Sequence, residues 1–133
     1  MKYLLDTNIC IYIIKKKPEK VIKRFKEKKP GDITISSITI SELEYGVAKS
    51  SKPDINTIAL KEFLAPLMVI DYTSKDSEHY GKIRKDLEKK GTPIGAMDLL
   101  IASQAISREM ILVTNNENEF KRVKGIRIEN WVN

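Results

Sequence analysis

KYLLDTN, residues 2–8, is the stretch on which the rest of the chain turns. Tyr3, Leu4 and Leu5 form a short apolar run with polar residues on both sides, the pattern of a strand buried on both faces that begins a parallel sheet. The run stops at Asp6. With a helix entered through residues 9–14, Asp6, Thr7 and Asn8 fall at the carboxyl end of a central strand, where open α/β sheets bind their ligands. All three residue types also cap helices, so this stretch alone supports both a plain cap and a charged crevice.

Working outward, residues 9–14 followed by Lys15, Lys16, Lys17 and Pro18 predict a short buried helix with a cationic end and a proline stop. Residues 19–29 place Val21, Ile22 and Phe25 at helical spacing among lysines, an amphipathic surface helix broken at Pro30-Gly31. Residues 33–36 read as a second strand, and residues 40–49 as a helix whose entry fits a capping box, Thr39 with Glu42 or Ser41 with Glu44. A helix over 55–64, a strand over 67–71 and a helix from Thr73 or Ser74 to Lys90-Gly91 follow. The most apolar helix, 96–106, has Met97, Leu100, Ile101 and Ala105 to pack and Asp98 in its first turn, where the helix N-terminus favours a carboxylate. Gly95, Ala96, Ala102 and Ser103 are small and leave the backbone there approachable. A strand over 111–114, a short helix within 115–123 and a last strand over 126–128 complete the chain. Alternating strands and helices with no repeat or linker predict one α/β domain over residues 1–133, with a mainly parallel sheet and right-handed crossovers.

The 133 residues are 41% hydrophobic and 32% charged, a composition of a folded domain rather than a disordered chain. Apolar runs reach only strand or helix length, and the first residues lack the apolar core of a signal peptide, so a cytoplasmic protein without a membrane span is expected. Cys10, the single cysteine, sits among isoleucines and reads as a small buried hydrophobe. His79 has no second His or Cys nearby to form a metal set. The net charge of +6 points to a polyanionic partner, although lysine-rich surfaces also serve solvation.

The parallel topology gives scattered acids a meeting place. Asp6 follows the first strand, Glu42 lies just after the second, Asp98 opens the helix that feeds the fourth, and Asn116 and Glu119 follow the fourth. All can converge on the carboxyl edge of the sheet. Each acid alone has a cap or surface explanation; together they are hard oxygen donors with no Cys or His among them. Carboxylates so close repel, and one takes up a proton unless a cation neutralises the group. Mg²⁺ or Mn²⁺ suits such donors and commonly bridges to phosphate.

The stretches LLDTN (4–8), ISSITISELEYG (35–46), IGAMDLLIAS (94–103) and VTNNENEFKRVKGIRIENW (113–131) resemble, in order and over nearly the whole chain, the PIN-domain ribonucleases. More closely they resemble the VapC toxins of bacterial type II toxin–antitoxin pairs. The resemblance implies an α/β/α sandwich and a Mg²⁺-dependent endoribonuclease, with Mn²⁺ as a substitute. It implies Asp6, Glu42, Asp98 and Glu119 as catalytic acids, with Asp6, Asp98 and Glu119 as metal ligands. Many PIN domains carry Asp where this chain has Asn116, which therefore takes a supporting role beside Thr7, Asn8, Ser41 and Thr114. The family's products are 3′-hydroxyl and 5′-phosphate ends. The branch it resembles most cuts initiator tRNA in the anticodon stem-loop, and exposed loop bases are readable where those of an A-form helix are not. Lys15, Lys16, Arg84, Lys85, Lys121 and Arg122 are the candidates for holding RNA. A VapB-like antitoxin that blocks the crevice and itself contacts operator DNA is implied, as is a homodimer within a larger assembly. The competing expectations are a PIN nuclease acting on rRNA, mRNA or DNA, and a non-catalytic PIN scaffold that binds RNA or a partner.

Overall fold

A computed structural model describes residues 2–133. The opening stretch forms β1 (Tyr3–Leu5), the middle strand of a five-stranded sheet of order β3-β2-β1-β4-β5 in which every pair is parallel. Here β2 is Ile33–Ser36, β3 Met68–Ile70, β4 Ile111–Val113 and β5 Arg127–Glu129. The seven described α-helices are α1 (Thr7–Lys15), α2 (Glu19–Lys26), α3 (Ser37–Ala48), α4 (Pro53–Leu64), α5 (Ser74–Lys89), α6 (Ala96–Ser107) and α7 (Glu117–Phe120). None is long and apolar enough to cross a membrane.

Adjacent residues of the central strands feed opposite cores, as a period of two requires. Leu4 and Leu112 pack with Leu87, Leu99, Ile101, Ala102 and Ala105 of α5 and α6. Leu5 and Val113 pack on the other side with Ile9 and Ile13 of α1, Val21 of α2, Leu43 of α3, Leu60 of α4 and Trp131. Both faces of the sheet are therefore covered, which explains why β1 and β4 read as unbroken apolar runs rather than alternating ones. Cys10 lies in the second core, and burial pushes its thiol well up, so it stays protonated and inert.

Where sequence and structure differ, the cause is local. α3 starts at Ser37, capped by the Ser36 side chain accepting from Ile38 N–H at 3.1 Å, so Thr39 and Ser41 lie inside the helix and no capping box forms there. The capping box of the chain is at α5, between Thr73 and Asp76. Met97 is 40% exposed instead of packed, because it faces away from the core that Leu99, Ile101 and Ala105 fill. Ala102 and Ser103 are fully buried against the neighbouring layer, so only Gly95 and Ala96 leave backbone open. β5 runs one residue later than expected, set by its register Val113↔Glu129 with β4.

One polar network is buried. Asp76, 1% exposed, accepts from Thr73 N–H at 2.9 Å and pairs with Arg108 at 3.4 Å. Arg108 and Gln104 both donate to the Asp71 carbonyl, at 2.7 and 3.2 Å. Burial works to raise Asp76, but hydrogen bonds from Thr73, Ser107 and Arg108 outweigh it and hold the carboxyl below its usual range. The network ties the end of β3 and the start of α5 to α6, the helix that carries Asp98.

Candidate active site

The carboxyl ends of β1 and β4 lie side by side, and the site grows from that pairing. Asp6 is both the residue after β1 and the N-cap of α1: its N–H continues the ladder to Val113 C=O at 2.9 Å, while Oδ1 accepts from Thr7 N–H at 2.8 Å. Its other oxygen, Oδ2, accepts from the hydroxyl of Thr114 at 2.8 Å. Thr114 follows β4, is fully buried, and accepts in turn from Asn116 N–H at 3.0 Å. At 6% exposure, burial raises the Asp6 carboxyl above its usual value, the Thr114 and Thr7 bonds oppose this, and nearby Glu42 adds to the rise.

Glu42 reaches the same edge from α3. Thr7 donates its hydroxyl to Glu42 Oε1 at 2.7 Å and stands 3.5 Å from the hydroxyl of buried Thr39. The three-residue spacing from Thr39 to Glu42 that reads as a capping box places both side chains on the helix face turned to α1.

Asp98 arrives from the first turn of α6. A helix N-terminus favours an exposed carboxylate by about 0.3–1 kcal/mol, yet the Asp98 carboxyl is pushed up to about 7. Loss of solvent comes first among the causes, then its bond to Glu119, then the negative charges of Asp6, Glu119 and Glu42. The dipole loses to burial and like charge. Glu119 of α7 moves the other way: the proton on Asp98 is donated to it, Asn116 Nδ2 donates to Oε2 at 2.9 Å, and the Arg122 charge helps. Of the two, Asp98 is the acid that holds its proton more readily and Glu119 the one that gives it up.

Four acids from four elements therefore feel one another at one edge of the sheet. They stand as linked pairs: among the described residues no three Asp, Glu, His or Cys side chains surround a single coordination point. The donor chemistry still fits a hard divalent cation, because every group is a carboxylate and the neighbouring negative charges raise Asp98. Asp6, Asp98 and Glu119 could hold such an ion, with Glu42 beside them.

The remaining expected site residues divide. Thr7, Thr114 and Asn116 bond directly to the acids. Asn8 is exposed, and Ser41, also exposed, donates to Ser37 C=O of its own helix at 3.2 Å; neither bonds to the acids. Arg122 donates to Pro93 C=O at 2.9 Å and lies near enough to Glu119 to lower it. Arg84 is engaged with Glu88 and Tyr80, both at 3.1 Å. Lys15 and Lys16 lie at the far end of α1 from Asp6. Sequence reasoning took Thr39 only as a cap partner of Glu42, and it passed over Tyr12, whose hydroxyl accepts from Asn115 Nδ2 at 3.1 Å. Tyr12 had no signal beyond its place in an apolar helix.

Beside Glu42 a cleft of about 390 Å³ opens between α1, α3 and α4, lined by Ile11, Ile14, Leu43, Val47 and Leu60, with Lys15 at its margin.

Comparison with known proteins identifies the family. The family described as PIN domain matches residues 3–126. The chain is 46% identical over 132 residues to "Ribonuclease VapC2" of Haemophilus influenzae, covering 99% of each. It is 47% identical over 131 residues to "tRNA(fMet)-specific endonuclease VapC" of Salmonella typhimurium, covering 98% of each. Among solved structures it is similar to the toxin chain in "Crystal structure of VapBC2 from Rickettsia felis bound to a DNA fragment from their promoter", with a TM-score of 0.93 and 46% identity over 98% of this chain and 99% of that one.

Proposed function

We propose, because this chain belongs to the PIN-domain family and to the VapC ribonucleases within it, that it is the toxin of a toxin–antitoxin pair and cuts tRNA at the carboxyl edge of its sheet. The observation that carries the reading is the meeting of Asp6, Glu42, Asp98 and Glu119, with Asp98 pushed up to about 7 by its neighbours. A structural role gives no reason to gather like charges where they raise one another.

The chain's own residues have distinct tasks. Thr114 and the Thr7 N–H fix both oxygens of Asp6, and the Thr7 hydroxyl fixes Glu42, so the acids are oriented before substrate arrives. Asn116 holds Glu119 in the same way. Asp6, Asp98 and Glu119 are the ligands we assign to a divalent cation, Mg²⁺ with Mn²⁺ as a substitute. Such an ion, when bound, renders a water more acidic and offsets charge that builds on the phosphoryl oxygens during in-line hydrolysis. No histidine is required, and the one His in the chain, His79, lies on α5 away from the acids.

The tRNA substrate is supported by the tRNA(fMet)-specific name of the Salmonella relative and by the loop accessibility that single-stranded recognition needs. For the antitoxin, the apolar cleft between α1, α3 and α4 has Glu42 in its lining, so a segment seated there touches one of the four acids. The test is cleavage of purified tRNAs with and without Mg²⁺, with Asp6→Asn alongside. Cleavage of initiator tRNA that needs both the ion and Asp6 supports the assignment; intact initiator tRNA with another RNA cut would reject the substrate.

A further inference from the structure

The net charge of the chain has a single source. Residues 15–29 contain nine of the 24 Lys and Arg residues and only two acids, both Glu; the other 118 residues hold fifteen cations against sixteen acids. The +6 of the whole molecule is therefore the charge of the α1 end, α2 and the turn after it, and the remainder is slightly negative. A general enrichment in lysine would spread along the chain, and this one does not.

The fold makes that segment a surface. Val21 is buried, and Ile22 and Phe25 are half-buried in the core shared with α1 and α4, with the Phe25 ring 6.3 Å from Phe63. Lys20, Lys23 and Lys26 recur at three-residue spacing on the opposite, exposed side of α2. Lys16 and Lys17 lead into that side, and Lys29 follows it, all exposed. Among the described residues, none of the nine cations has a carboxylate within ion-pairing distance, whereas Arg84, Lys90 and Arg108 elsewhere each do. Helix dipoles account for Lys15, Lys23, Arg24 and Lys26 as last-turn cations. They leave the side-chain charges of Lys16, Lys17, Lys20 and Lys29 unaccounted for.

We propose that Lys16, Lys17, Lys20, Lys23, Lys26 and Lys29 form a second RNA-binding surface, which holds the phosphate backbone of a structured RNA away from the bond being cut. The inference rests on the ribonuclease reading above. Its physical basis is that the reactive edge is itself acidic and repels the polyanion it must admit, so the attraction has to come from elsewhere on the molecule. α1 supplies the spacing. It has Asp6 at one end and Lys15 at the other, and its nine residues span about 14 Å. Only an RNA that extends at least that far from the scissile phosphate reaches α2, so this surface selects for a longer RNA over a short fragment.

The test uses the full chain with Lys20→Gln, Lys23→Gln and Lys26→Gln combined, and a control with Lys61→Gln, Lys75→Gln and Lys82→Gln. Initiator tRNA and a trinucleotide spanning the cut site are the substrates. Since each phosphate neutralised adds about 0.7–0.9 to the salt slope of log affinity, the α2 variant should lose about 2 from that slope. Its KM for tRNA should rise about tenfold near physiological salt with kcat unchanged. The trinucleotide and the control variant should behave as wild type. An unchanged slope and KM for tRNA, or an equal loss on the trinucleotide, would overturn the proposal. So would an α2 variant that keeps its tRNA affinity and loses a protein partner instead, because the face would then belong to an acidic protein. Binding of tRNA to the same variants in an Asp6→Asn background reads the surface even where no cleavage occurs, which separates its failure from failure of the nuclease reading.

Discussion

Thr114→Val removes one hydroxyl and nothing else of consequence to shape, and its effect can be worked from the contacts. The hydroxyl is fully buried, donates to Asp6 Oδ2 at 2.8 Å and accepts from Asn116 N–H at 3.0 Å. Losing a bond to a carboxylate and leaving a partly buried N–H without a partner costs roughly 2–4 kcal/mol. For a chain of this length that lowers the melting temperature by about 10 °C. The sign with pH is determined. The Thr114 bond lowers the Asp6 carboxyl, which burial raises, so its removal leaves the charged form still less favoured. The destabilisation is therefore smaller where Asp6 is protonated, where the unpaired Asn116 N–H remains its main cost, and grows as pH rises through the folded value of Asp6. Thermal unfolding of wild type, Thr114→Val and Thr114→Ser without divalent ions, at pH 4.5 and pH 8, reads this directly. The serine variant keeps the hydroxyl and should follow wild type apart from a small packing loss that does not depend on pH. Activity on RNA should fall by about 10–100-fold in the valine variant, the usual effect of removing a group that orients a ligand. A valine variant as stable as the serine variant at pH 8, or a difference indifferent to pH, would refute the role given to the hydroxyl.

Asp98→Asn should stabilise the divalent-free protein at pH 8 by about 1 kcal/mol, after discounting for the solvent around a half-buried group. The Asp98 carboxyl is raised in the folded state to about 7 from 3.8, so its contribution is present below the lower value and lost as pH rises through the upper one; urea unfolding at pH 5.5 and pH 8 should show that slope in wild type and a weaker one in the variant. Asp6→Asn should retain the fold and tRNA binding and abolish cleavage, and addition of Mg²⁺ at about ten times its dissociation constant should stabilise wild type by about 1.4 kcal/mol while leaving this variant unmoved in a thermal melt. Leu5→Ala, at a fully buried position of the central strand, should cost about 2–5 kcal/mol in chemical unfolding.

The sheet was legible because its strands are buried on both faces and so appear as apolar runs between polar stops, from Leu4-Leu5 to Leu112-Val113. Helix entries were less so. At α3 three hydroxyl residues in a row, Ser36, Ser37 and Thr39 after one isoleucine, all suit a cap, and only the end of pairing with β3 decides that Ser36 takes it. Met97 was misjudged because α6 is apolar nearly all round, so its sequence does not say which side faces solvent. Of the site, the acids were readable from topology alone, since a parallel sheet delivers strand ends to one edge. Their pairing was not. Whether the Thr7 hydroxyl reaches Glu42 depends on the angle at which α1 meets α3, and the coupling of Asp98 to Glu119 depends on how near α7 approaches α6. Neither distance is local in sequence.

The cap and the reactive acid, which compete as explanations of Asp6 in the sequence, are the same interaction in the folded chain. A carboxylate at the start of α1 is favoured by the helix N-terminus and by the Thr7 N–H, and that bond is what holds it rigidly enough to serve a ligand. The far end of α1 follows the opposite sign, with Lys15 in its last turn and the lysine-rich segment after it. Each end obeys the preference of an isolated helix. What no isolated helix would choose is the company at the first end: Glu42, Asp98 and Glu119 are brought there by three other elements, against their mutual repulsion. The helix rules account for where the charges begin, and the cation and phosphate of the proposed function account for why they meet.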